Sequence, residues 1–201
     1  MRLQEVARMN KNIILCGVGG QGTVLASKLI SSVAMEKGLP VMSAETIGMS
    51  QRGGSVFSHI RIGEGIQTPM IAEGEADIII AFEPGEAVRM LPYLKADGQM
   101  IVSVKEVMPV MATLAGADYQ GKEMLDYLAA KVTNLVVVDT EAACQKIGTT
   151  KALNVFLLGV AVVSGALGIT EEELKEIIKI KVPEKFHELN FKALECAKEY
   201  K

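Results

Sequence analysis

The sequence predicts an α/β fold: a mostly parallel sheet flanked by helices, Rossmann-like and three-layered, with a helical C-terminal part. Three observations predict it. Short β-branched runs alternate with stretches of helical periodicity. A glycine turn, Gly17-Val18-Gly19-Gly20-Gln21-Gly22, falls where the first such run gives way to the first helix. The composition, 49% apolar but only 4% aromatic, calls for a core of Val, Ile, Leu, Ala and Met, as in strands covered on both faces.

The elements follow in order. Lys11 to Cys16 reads as a buried strand ending at the glycine turn. Leu25, Leu29 and Val33 recur at four-residue spacing in the helix that follows, and Gly38 supplies its stop. Pro40 to Ala44 reads as a second strand, completing a β-turn-α-β crossover unit. After a glycine-marked stretch, Ile47 to Gly54, comes a strand over Ser55 to Ile62, with Met70 to Ala72 pairing back onto it as a hairpin. Asp77 to Phe82 is a continuous β-branched run and so a central strand. Glu83-Pro84-Gly85 ends it and opens a helix through Leu91. Asp97-Gly98 introduces a strand over Gln99 to Val104, Lys122 to Lys131 is helical, and Leu135 to Val138 is the last strand.

Beyond Asp139 the chain reads as helical. Ala152 to Ile169 is almost wholly apolar, but Asn154, Ser164 and three glycines interrupt it, and it lies at the short end of what a bilayer needs. It therefore reads as a buried helix. Thr170 with Glu173 forms a capping box for the next helix, Pro183 breaks that helix, and a last one runs to the end. No repeat, linker or composition shift divides the chain, so residues 1–201 are expected to form one domain.

Charge and cysteine usage exclude several functions. The formal charge is −3, with acids and bases mixed and no basic block to track a phosphate backbone, so nucleic acid is not expected as a partner. Cys16, Cys144 and Cys196 are scattered, with no Cys-x-x-Cys pair to start a zinc or iron–sulfur site. That pattern fits a reducing compartment, and Met1 to Asn10 lacks an apolar signal core, so a cytoplasmic chain is expected.

The strongest chemical signal is the turn Gly17-x-Gly19-x-x-Gly22. Gly17 permits a tight turn, Gly19 a close approach of backbone to phosphate, and Gly22 close packing of helix on sheet. The helix N-terminus beyond it offers free N–H groups and the positive end of a dipole. The turn is either a nucleotide-type site or a packing device. In an NAD-binding Rossmann unit an acid after the second strand would hold a ribose, and Glu45 stands near that place.

A second cluster, Gln51-Arg52-Gly53-Gly54-Ser55, pairs open backbone with a guanidinium that can fork onto an anion. It is either an anion contact or a surface turn. Glu83 and Glu86 follow a strand end: either they line the same crevice or, the favoured reading, Glu86 is an acid in a helix's opening turn. His59 and His187 show no ligand spacing, and Cys16 reads as a small buried hydrophobe. No nucleophile–base pair or metal site is evident.

Taken together, the glycine turn, Gly48-Met49-Ser50-Gln51-Arg52-Gly53-Gly54-Ser55-Val56 and Arg61 resemble the gamma-type subunit of 2-oxoacid:ferredoxin oxidoreductases. The Gly-Met-Ser-Gln-Arg-Gly-Gly-Ser form is most like the small (beta) subunit of the indolepyruvate type. Glu83-Pro84-x-Glu86-Ala87, Asn154-x-x-x-Leu158-Gly159 and Asn190 extend the resemblance over nearly the whole chain, while Phe191 to Leu194 depart from it.

The resemblance implies an accessory subunit that is inactive alone. Thiamine diphosphate, Mg and 4Fe–4S clusters would lie in a large catalytic partner, which passes electrons to ferredoxin. This chain would hold no cofactor tightly but would help bind coenzyme A. Gly17, Gly19, Gly20, Gln21 and Gly22 would meet phosphate, and Gln51, Arg52, Gly53, Gly54 and Ser55 a second anion or the partner. A homodimer is expected when the chain is isolated. A stand-alone NAD-binding oxidoreductase and a purely structural subunit are the alternatives.

Overall fold

The computed structural model describes residues 10–46, 53–108 and 119–200. A six-stranded sheet has the order β2-β3-β1-β4-β5-β6. Its strands are β1 (Lys11–Val18), β2 (Val41–Glu45), β3 (Ser55–Ile62), β4 (Ala76–Ala81), β5 (Leu94–Ser103) and β6 (Asn134–Val138). β1, β4, β5 and β6 pair in parallel, whereas β3 runs antiparallel to both β1 and β2. The α/β, mostly parallel sheet is as the sequence predicts.

The helices are α1 (Thr23–Glu36), α2 (Pro84–Met90), α3 (Gly121–Lys131), α4 (Thr140–Ile147), α5 (Leu153–Val163), α6 (Glu171–Lys181) and α7 (His187–Ala197). Side chains alternate across a strand, and the central strands carry apolar residues on both faces, so they feed two cores. Ile13, Leu15, Ile78, Ile80 and Ile101 pack with Leu29, Ile30 and Val33 of α1 and with Phe156 and Val160 of α5. Ile14, Cys16, Ile79, Met100 and Val102 pack on the other face, with Ala87 of α2 and Leu128 of α3. Each fully buried Ile contributes roughly 1.5–3 kcal/mol relative to exposure.

Local signals set the helix ends. α1 stops at Gly38, whose φ of +73° is open to glycine and whose N–H donates to Met35 O at 2.9 Å. Thr170 and Glu173 form the expected capping box, with reciprocal bonds of 3.2 and 2.8 Å. α5 and α7 cross at Gly159, where a Cβ would lie 2.7 Å from the Ala197 Cβ. The apolar stretch from Ala152 thus yields the short helix α5, and no helix among the described residues is long and apolar enough to cross a membrane.

β3 inserts between β1 and β2, the two strands of the first crossover unit. Two expectations need correction. Met70 to Ala72 forms no strand. Ile71 instead buries its side chain and donates its N–H to His59 Nδ1 at 3.0 Å, while Arg61 Nη1 donates to Met70 O at 3.3 Å. Asp97-Gly98 lies inside β5 as an irregularity rather than before it, since the pairing jumps from Ala76↔Leu94 to Ile78↔Gln99. The bare Gly98 suits that crowding, because a Cβ there would sit 3.0 Å from Ala76 O.

A cationic cleft at the glycine turn

β1 delivers the glycine turn to the carboxyl edge of the sheet, beside the exit of β4. Phe82 N donates to Cys16 O at 2.8 Å, fixing the two strand ends together. Gln21 then bridges them: its Oε1 accepts from Val18 N at 2.7 Å and its Nε2 donates to Phe82 O at 2.9 Å. Gly17 is bare because a Cβ would fall 2.6 Å from that same Oε1.

Gly22 is the N-cap of α1, at φ +84°, and α1 begins with neither a side-chain cap nor an acid in its first turn. Its opening N–H groups are thus available to an anion. The buried Asn154 of α5 packs on this cap, donating from Nδ2 to Gly22 O at 3.3 Å and accepting from Val155 N at 2.9 Å.

A cleft of about 260 Å³ opens in front of the turn, lined by Gly20, Gln21, Gly22, Phe82, Ser103, Lys105, Thr150, Lys151, Leu153, Asn154 and Leu157. Among the described residues its charged lining groups are Lys105 and Lys151, and neither forms an ion pair there. Helix dipole and ammonium groups therefore act with the same sign, and no carboxylate of the described residues opposes them in the lining. Ser103 Oγ, bonded to Thr140 Oγ1 at 2.8 Å, accepts from Lys105 N at 3.0 Å and fixes the backbone that presents Lys105.

The second predicted cluster is brought to the same edge in part. Gly53 has φ +86°, and Gly54 O accepts from Gly19 N at 2.8 Å, so this loop flanks the glycine turn. Ser55 Oγ donates to Glu86 Oε2 at 2.5 Å. Gln51 and Arg52 lie outside the described residues.

Glu83 and Glu86 are both buried, at 2% and 5% exposure, which is more than a helix-opening acid requires. Glu83 is the N-cap of α2, accepting from Glu86 N at 2.9 Å and from the Tyr119 hydroxyl. Burial pushes its carboxyl above the usual range, opposed by the Tyr119 and backbone hydrogen bonds. Burial raises the Cys16 thiol as well, helped by Glu86 and Glu83, so it is a neutral core group and not a nucleophile.

Glu45 does not join this site. It ends β2 with β3 between it and β1, and it lines a separate groove with Ser27, Ser31 and Lys181. The geometry that would place an acid on an NAD ribose is missing. His59 is buried as a hydrogen-bond acceptor, and His187 Nε2 lies 2.6 Å from Val182 O. No group of His, Cys, Asp and Glu among the described residues could hold a metal ion.

Sequence reasoning missed Lys105, Lys151 and Tyr119 as site neighbours. The available signal for Lys105 was its place just after a strand end, where open α/β sheets bind ligands. Nothing local marks Lys151 or Tyr119.

Comparison with known proteins places this geometry among relatives. The family model described as "Pyruvate ferredoxin/flavodoxin oxidoreductase" matches residues 12–200. The protein named indolepyruvate oxidoreductase subunit IorB from Archaeoglobus fulgidus is 37% identical over 187 residues, covering 92% of each chain. Its namesake from Thermococcus kodakarensis is 34% identical over 186 residues, again covering 92% of each. The crystal structure titled keto/oxoacid ferredoxin oxidoreductase, gamma subunit, from Geobacter sulfurreducens shares the fold at a TM-score of 0.68. It is 22% identical and covers 94% of this chain and 97% of that one.

Proposed function

The chain belongs to the pyruvate ferredoxin/flavodoxin oxidoreductase family, as a small subunit of a 2-oxoacid:ferredoxin oxidoreductase that does not act alone, and we propose that its cleft supports coenzyme A binding. The observation that carries this reading is the pairing of Gly22, the N-cap of an α1 without a side-chain cap, with Lys105 and Lys151 in a cleft lined by no carboxylate of the described residues. The pyrophosphate of coenzyme A is an anion of the size and charge such a site takes. The glycine turn lines the cleft, and the Gly53–Gly54 segment flanks the turn through Gly54 O.

An arylpyruvate substrate is favoured by relatives at 34–37% identity whose names carry indolepyruvate. Oxidative decarboxylation passes two electrons to ferredoxin and the acyl group to the coenzyme A sulfur, releasing carbon dioxide. Thiamine diphosphate, Mg and the 4Fe–4S clusters belong on this reading to a large partner subunit. The thiols here suit no cluster: Cys16 is wholly buried, and Cys144 and Cys196 lie on separate helices, α4 and α7. What this chain supplies is binding and orientation, with no proton-transfer step at its own residues.

The test is an anaerobic pull-down of the tagged chain from its host, with mass spectrometry and a visible spectrum of the eluate. A large co-purifying subunit with iron–sulfur absorption is expected. A colourless chain without a partner, from cells that make the candidate partner, would contradict the reading.

A further inference from the structure

Three segments, of which the glycine turn lines the cleft, converge on residues 82–86. The glycine turn reaches Phe82 O through Gln21 Nε2 at 2.9 Å. The Gly53–Ser55 loop reaches Glu86 through the Ser55 hydroxyl at 2.5 Å, and reaches the turn through Gly54 O, 2.8 Å from Gly19 N. Tyr119 donates to Glu83 Oε1 and also accepts from Gly85 N at 3.0 Å. The two carboxylates are joined in turn, since Glu83 Oε2 accepts from Glu86 N at 2.9 Å. Hydrogen bonds thus link Tyr119 to Glu83, Glu83 to the Glu86 backbone, and the Glu86 carboxylate to Ser55, whose chain neighbour Gly54 bonds to Gly19.

Residue choice at these positions exceeds what helix α2 needs. N-caps favour Ser, Thr, Asp and Asn, whose short side chains reach the backbone two or three residues on. Glu83 caps with a longer arm, and the extra length lets one carboxylate serve both Glu86 N and Tyr119. Burying a carboxylate is unfavourable unless each oxygen is satisfied. Glu86, at 5% exposure, meets that condition through Ser55 and through Arg89 Nε at 3.3 Å.

We infer that Glu83 and Glu86 are positioning residues that hold the Gly53–Ser55 loop against the glycine turn, with Tyr119 bracing Glu83, in the arrangement that accepts the coenzyme. This inference rests on the coenzyme A reading of the cleft. Neither carboxylate touches the ligand. They act through Ser55, with Tyr119 holding Glu83, fixing the loop beside the turn before binding so that ordering it does not weaken affinity.

The experiment uses the assembled complex carrying Ser55→Ala, Glu86→Ala or Glu86→Gln, with Lys105→Ala as the cleft control. Ser55→Ala cuts the link from the loop side and leaves α2 intact, so it reads the latch where Glu86→Ala fails to fold. Amide exchange over Gly53 to Phe57 should quicken about tenfold in Ser55→Ala and Glu86→Ala. The KM for coenzyme A should rise about fivefold with kcat retained. Glu86→Gln keeps an acceptor oxygen and should restore most of both. Unchanged exchange in Ser55→Ala would overturn the inference. So would an unmoved KM in Ser55→Ala where Lys105→Ala raises it. A KM unmoved in both would overturn the coenzyme A reading, and the positioning role with it.

Discussion

Gln21 joins the turn after β1 to the exit of β4 with one side chain, donating to Phe82 O at 2.9 Å while accepting from Val18 N at 2.7 Å. A parallel sheet binds ligands where neighbouring connections diverge, and this amide spans that gap. Removing it in Gln21→Ala leaves one backbone donor and one acceptor short of partners. The expected loss is about 1–3 kcal/mol of unfolding free energy, read from urea denaturation with an unchanged slope. A loss within error would show the bridge to be dispensable.

Gly22→Ala should act through both backbone and contact. The position has φ +84°, and the new Cβ would lie 2.7 Å from Asn154 Nδ2. About 1–3 kcal/mol of destabilisation is expected. Combining it with Asn154→Ala should recover part of that loss, and strict additivity in the double-mutant cycle would place the cost in the backbone alone.

Gly159→Val probes the C-terminal packing. A Cβ at this position already meets Ala197 Cβ at 2.7 Å and Leu194 Cδ2 at 3.1 Å. Overpacking there should cost about 1–3 kcal/mol and lower the melting temperature, although helix propensity alone slightly favours Val over Gly. An unaltered melting temperature would mean that the α5–α7 crossing gives way freely.

His59 supplies a pH dependence. Burial lowers its pKa from the ordinary 6.5, and Nδ1 accepts from Ile71 N at 3.0 Å, so the neutral ring is the folded form. A group whose folded pKa is depressed contributes stability that is present above its unfolded value and lost on acidification. Stability should therefore decline as the pH falls below about 6.5, the unfolded imidazole value. His59→Gln should flatten that decline; an identical slope in the variant would assign it to other groups.

Much of this was legible in the sequence, because the signals were local. The β-branched run Asp77 to Phe82, the Thr170–Glu173 box and the glycine turn each encode their structure within a few residues. The hairpin at Met70 to Ala72 was misread because its alternation reflects burial of Ile71 against His59, a contact twelve residues away. The insertion of β3 between β1 and β2 is a choice of pairing that no strand's own pattern encodes. The site divides in the same way. Gly17 to Gly22 announce themselves, whereas Lys105 and Lys151 reach the cleft only through the folding of β5 and the approach to α5. The buried roles of Glu83 and Glu86 depend on Tyr119 and Ser55, which lie 36 and 31 residues away.

The most direct test of the cleft's role is the coenzyme A dependence of the anaerobically purified complex carrying Lys105→Ala and Lys151→Ala together. The KM for coenzyme A should rise at least tenfold, corresponding to about 1.4 kcal/mol of lost binding. The KM for the 2-oxoacid should hold, and raising salt should weaken coenzyme binding less than in the unaltered complex. An unchanged coenzyme A KM in an intact complex would contradict the account, leaving the glycine turn as a packing device.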